Sequence, residues 1–314
     1  MILLAAVYLM AIPTWRDLPP LPRPLGGAFA GVAGGRLLVA GGSYWEGAPW
    51  IAGSRKVYVD TIYALGPGGK WSVIGRLPKA SGYGASFVYQ DALWLIGGQD
   101  TNGAQAGIVR LSGQGQAETV GHLPAPLMTM ASAALDGDFY LLGGQPDLKS
   151  AWRSRDLLTW LPVPAWPGPG RFFAQATAAA GALYLVGGSD LVSGQRVFLK
   201  DAYRWRAGRW QRIADLPQPL QAGFAAAPGG VPHLLGGSDG GLAPFESELG
   251  ADHPGFSRMI WKFLGERWQP AGLLPYAPVT STLVEWQGEL VIPGGEDRPA
   301  HRTARVIAGK GFHE

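Results

Sequence analysis

Six times along 314 residues an apolar run ends in Gly-Gly: at Gly41-Gly42, Gly97-Gly98, Gly143-Gly144, Gly187-Gly188, Gly236-Gly237 and Gly294-Gly295. The intervals are 56, 46, 44, 49 and 58 residues. A Leu-Pro pair recurs in step, at Leu18-Pro19, Leu77-Pro78, Leu123-Pro124, Leu161-Pro162, Leu216-Pro217 and Leu274-Pro275. A unit of this length holds about four short strands, and one such sheet cannot bury both of its faces alone. It must stack on its neighbours, and six units stacked in a ring leave no end unit bare. The expected fold is all-β: a single six-bladed β-propeller over residues 13–314.

Within each unit the run before the diglycine reads as the second strand. These are Arg36 to Ala40, Ala92 to Ile96, Asp138 to Leu142, Ala182 to Val186, Val231 to Leu235 and Glu289 to Pro293. Short apolar runs bounded by glycine suit strands covered on both faces. Trp15, Trp71, Trp160, Trp210 and Trp268 mark the fourth strands, and Ala117 stands where the third unit would have its Trp. The chain opens on a Trp strand and closes after a third strand, Ala304 to Ala308. The N-terminal strand should therefore complete the last blade and close the ring.

Composition narrows the function. With 48 Gly, 26 Pro, 13 Trp and only 16% charged residues, the chain is turn-dense and aromatic-rich. Its net charge of +3 comes without a Lys/Arg run, so nothing points to a nucleic-acid partner. There is no cysteine, which removes disulfides, thiolate metal sites and thiol nucleophiles. The five histidines show no ligand pairing, so no metal is expected. Met1 to Ala11 is apolar but too short to span a bilayer. It reads as a secretory signal or an apolar tail, and export to a periplasm-like compartment is the expectation, with a cytoplasmic location as the alternative.

Loops between second and third strands should gather on one face around the channel, where binding residues usually lie. Two are long. The first, Ser43 to Val57, carries Glu46, Arg55 and Lys56; the fifth, Ser238 to Arg258, carries Asp239, Glu246, Glu248, Asp252, His253 and Arg258. The sixth is short and charged, from Glu296 to Arg302. These three belong to neighbouring blades once the ring closes. Glu246, Glu248 and Asp297 read as solvated charge. Glu296 does not: it follows a diglycine directly and is flanked by Arg298 and Arg302. A carboxylate there is balanced between desolvation and nearby positive charge, which is where catalytic bases are found. His253 is a second acid/base candidate by residue type. No nucleophile elbow is recognisable.

The stretch Gly294 to Thr303 (GGEDRPAHRT) is similar to the Gly-Glu-x-x-Pro-Gly-x-Arg motif of the kelch-repeat bacterial N-acetylneuraminate epimerases, the sialic acid mutarotases. Ala300 replaces the motif Gly. Residues 50–63, Leu77 to Gly84 and His253 to Arg258 resemble the same family, especially its circularly permuted members. The resemblance implies a small sugar acid as partner, anomer interconversion without metal or redox cofactor, Glu296 as base and Arg302 on the substrate carboxylate. Arg258 and Lys56 would be further anion contacts, with Tyr83, Asp239 and Arg298 as candidate substrate contacts and His253 as a guess for the acid. A non-catalytic carbohydrate-binding or interaction propeller is the alternative. A sialidase is disfavoured, because its Asp-box repeats are missing.

Overall fold

The computed structural model describes residues 13–47 and 51–312, so the apolar Met1 to Ala11 stretch lies outside the described residues. Six four-stranded antiparallel sheets form the blades of a propeller. Blade 1 runs Phe29–Ala33, Arg36–Ala40, Thr61–Leu65 and Trp71–Arg76, inner to outer. Blades 2 to 5 repeat this order from Ala85, Ala131, Gln175 and Phe224. Blade 6 takes Val284–Trp286, Glu289–Pro293 and Val306–Lys310, and its outer strand is Thr14–Leu18 from the other end of the chain. That pairing runs from Thr14 opposite Lys310 to Leu18 opposite Val306. Among the described residues no helix is long and apolar enough to cross a membrane.

The core lies between blades, and the period-2 alternation of a strand explains how. Leu37 and Val39 pack towards Val291 and Val306 of blade 6, whereas Leu38 and Ala40 pack towards Leu93 and Leu95 of blade 2. Every second strand is thus apolar on both sides. The strand of blade 5 is shorter than the sequence suggested, His233–Leu235 rather than from Val231. Pro232 has no N–H to give a ladder, and Pro228–Gly230 forms a 3₁₀ turn instead. Trp indoles bridge successive blades: Trp71 Nε1 donates to the Pro19 carbonyl, Trp210 to Pro164 and Trp268 to Ala214.

Both glycines of each pair have positive φ, for example 60° and 100° at Gly97 and Gly98. A Cβ on Gly97 would strike the Leu127 carbonyl of the next blade, while Gly98 N–H donates to that same oxygen at 2.8 Å. Glycine is needed because the neighbouring blade's backbone arrives there.

Further in, a closed ring of backbone hydrogen bonds surrounds the channel. Gly27, Tyr83, Thr129, Phe173, Ala222 and Thr280 each precede an inner strand, and all have positive φ. Tyr83 N–H donates to Gly27, Thr129 to Tyr83, Phe173 to Thr129, Ala222 to Phe173, Thr280 to Ala222 and Gly27 to Thr280, at 2.6 to 3.0 Å. The propeller is therefore closed twice, outside by strand pairing and inside by this ring.

Candidate active site

The residue after each diglycine occupies an equivalent place in all six blades. Each is paired by an isolated bridge to the residue just before a ring position: Ser43, Gln99, Gln145, Ser189, Ser238 and Glu296. Five are neutral and one is an acid. Together with the ring side chains, four of these residues (Gln99, Gln145, Ser238 and Glu296) line a cavity of about 430 Å³ on this face. That lies within the roughly 300–1,000 Å³ usual for small-molecule sites. Trp45, Phe173 and Phe256 give it apolar surface. Its charged lining is Lys56, Arg196, Arg302, Glu246 and Glu296, one positive charge in excess. The balance suits an anionic ligand.

Glu296 is held from three sides. Its Oε1 accepts from Thr280 Oγ1 at 2.7 Å, its Oε2 accepts from the Ala300 N–H at 2.9 Å, and Arg302 Nη1 is ion-paired with Oε1. The hairpin of Glu296–Arg298 and His301–Arg302 makes this possible, turning through Pro299 and Ala300 to bring Arg302 back opposite Glu296. Ala300 carries the turn at φ 58°, where glycine would be the easier residue.

Arg302 is 9% exposed, and its Nη2 donates to Tyr83 Oη at 2.8 Å. Burial disfavours its charge, but Glu296 and Tyr83 outweigh that and hold its pKa above the ordinary value. Room for the guanidinium comes from Gly26, where a Cβ would sit 2.6 Å from Arg302 Nε.

Lys56 Nζ stands 3.9 Å from the centroid of the Tyr83 ring and 5.4 Å from that of Tyr58. Desolvation and the nearby Arg302 lower its pKa to about 8. Burial also pushes the Tyr83 phenol up to about 12 and raises that of Tyr58. Neither phenol is therefore an acid that ionises near neutrality.

Four of the residues singled out in the sequence thus meet at one cavity: Glu296, Arg302, Lys56 and Tyr83. Arg298 lines an adjoining cavity with Trp45 and His301. His253, Arg258 and Asp239 do not line the cavity. His253 is buried, its Nδ1 accepts from Gly255 N–H at 3.0 Å, and burial together with Arg298 lowers its pKa. Arg258 donates to the Leu274 carbonyl, and Asp239 accepts from Gly241 N–H. Arg196 and Glu246 were missed. Both sit in hairpins or loops whose path over the cavity is a tertiary fact, and Glu246 read as solvated charge. Burial and the like charge of Glu296 raise its pKa against the opposing pull of Arg196. Among the described residues no group of three or more His, Asp or Glu side chains could hold a metal ion.

Comparison with known proteins bears on the first third of the chain. Residues 11–119 match the N-acetylneuraminate epimerase family model. The matched stretch spans Thr14–Leu18, blade 1 and blade 2 as far as the start of its outer strand Ala117–His122, with Lys56 and Tyr83 but without Glu296 and Arg302. The chain is similar to the N-acetylneuraminate epimerase of Brucella suis, 38% identical over 119 residues, covering 33% of this chain and 30% of the relative. That of Haemophilus influenzae is 37% identical over 108 residues, covering 29% and 28%. The chain thus spans under a third of the length of these curated relatives in the matched region. The solved structure of YjhT superposes with a TM-score of 0.72, covering 93% of this chain and 96% of that one at 15% identity. That likeness establishes the propeller fold. The family resemblance read from the sequence holds over the matched third.

Proposed function

We propose that this protein is a mutarotase that interconverts the α and β anomers of N-acetylneuraminate by acid/base ring opening. The observation that carries the reading is Glu296. It is the one acid among six equivalent positions around the channel, held at the wall of a net-cationic cavity by Arg302, Thr280 and the Ala300 N–H. The relatives matched by residues 11–119 supply the substrate.

Anomer exchange needs one proton removed from the anomeric hydroxyl and one delivered to the ring oxygen as the bond between that oxygen and the anomeric carbon breaks. Rotation exposes the other face of the resulting carbonyl, and reclosure reverses both transfers. Glu296 takes the hydroxyl proton. Its three partners fix its carboxylate in direction, and a positioned base of this kind contributes roughly 10² to 10⁴ in rate. Arg302 is turned to Glu296 and Tyr83, so it acts first as the counter-ion of the base. The substrate carboxylate falls to Lys56 and Arg196, neither of which is ion-paired among the described residues. Phe173, Phe256 and Trp45 offer apolar surface to the sugar's carbon faces. Action outside the cytoplasm is the accompanying expectation from the apolar N-terminus.

The test is proton NMR of N-acetylneuraminate freshly released as the α anomer. Decay of that anomer should be faster with folded protein than without it. An unchanged rate at substrate concentrations shown to bind would leave a carbohydrate-binding propeller.

A further inference from the structure

Resting on the mutarotase reading, we propose that Glu246 is the proton donor to the ring oxygen, and that it works with Glu296 as an acid/base pair. Of the five charged residues in the cavity wall, two are carboxyls, and they arrive from different blades. Glu246 is delivered by the blade 5 insertion, at the start of the single helical turn Glu246–Leu249. Glu248 and Asp252, on the same insertion, stay exposed. Of the four acids on this insertion, Asp239 included, only Glu246 lies against the cavity.

The two carboxyls differ in what surrounds them. Glu296 receives two hydrogen bonds and an arginine, which fix its oxygens in place. The half-buried Glu246 carboxyl accepts no hydrogen bond among the described residues. The charges that act on it are Arg196 from the blade 4 hairpin and Glu296 itself, and burial adds to the latter in favouring the protonated acid. The carboxyl fixed by Thr280, Ala300 and Arg302 is placed to act as the base, and the half-buried one without a hydrogen-bond partner is free to turn its proton to the substrate.

In the forward step Glu296 accepts the anomeric hydroxyl proton, the ring C–O bond breaks, and Glu246 gives its proton to the departing ring oxygen. On reclosure the Glu246 carboxylate takes that proton back while Glu296 reprotonates the new anomeric oxygen. Each group ends as it began. Arg196 meets the negative charge that Glu246 holds between the two steps.

The experiment is the pH profile of kcat and kcat/KM for anomer exchange in wild type, Glu246→Gln and Glu246→Asp. The wild-type profile should fall on its alkaline side as Glu246 loses its proton. Glu246→Gln should lower kcat by about 10²-fold or more with KM little changed and the falling limb removed. Glu246→Asp should restore part of both. A Glu246→Gln enzyme within about threefold of wild type, with its falling limb intact, would overturn the assignment and leave the mutarotase reading standing. Inactive wild type would instead remove the reading itself. Independently, ¹³C-carboxyl NMR of the unaltered protein should show Glu246 titrating above ordinary glutamates. Titration at the ordinary value would also overturn it.

Discussion

Lys56 shows what the cavity costs and what it does. A lysine whose folded-state pKa is lowered from 10.5 to about 8 binds fewer protons than the unfolded chain between those values. Stability at this residue is therefore lowest below pH 8 and recovers as pH rises towards 10.5. Lys56→Met should raise the melting temperature at pH 7 by a few degrees and flatten that rise. The same charge serves an anionic ligand. Affinity for a sugar acid, measured by calorimetry, should hold below pH 7 and fall by up to about tenfold per pH unit above 8. In Lys56→Met this dependence should vanish along with much of the affinity. An unchanged pH profile in the variant would place the carboxylate elsewhere. Lys56 was visible in the sequence because charge was concentrated in three adjacent loops. Glu246 was not, since nothing local distinguishes it from the exposed Glu248 two residues on.

Among the elements, junctions between blades carry what the repeat pattern does not show. Arg171 is fully buried where blade 3 meets blade 4. Its carbonyl accepts from Gly144 N–H, its Nη1 donates to the Gly187 carbonyl, and its Nη2 reaches Asp201 Oδ2 at 2.8 Å. Arg171→Ala would leave Asp201 as an uncompensated buried charge and should cost about 3–5 kcal/mol in denaturant unfolding. A loss below 1 kcal/mol would mean that water or Lys149 takes over the role. The diglycines were legible because positive φ at a close approach selects glycine. The inner ring was not: Tyr83, Thr129, Phe173, Ala222 and Thr280 hold the same left-handed backbone with side chains that ordinarily resist it. Their conformation is imposed by the hydrogen bonds around the channel, which link residues more than 40 positions apart.

At the scale of the whole molecule, closure by Thr14–Leu18 followed from one observation, a leading Trp strand and a trailing third strand, and the pairing with Val306–Lys310 bears it out. Deleting residues 1–18 would bare the edge of blade 6 and strip away Trp15, Leu18 and the Asp17–Arg305 ion pair. Thermal unfolding should come at clearly lower temperature and size-exclusion should show association; a monomer melting like the full chain would mean that the inner ring suffices. That ring sets six equivalent positions around the channel, four of them lining the cavity, and the proposed function rests on the single acid among them. The direct test is Glu296→Gln, followed by NMR decay of the α anomer and by calorimetric binding of N-acetylneuraminate. Anomer exchange should fall by about 10²-fold or more while binding stays within a few-fold of wild type. Undiminished exchange in a folded Glu296→Gln protein would contradict it.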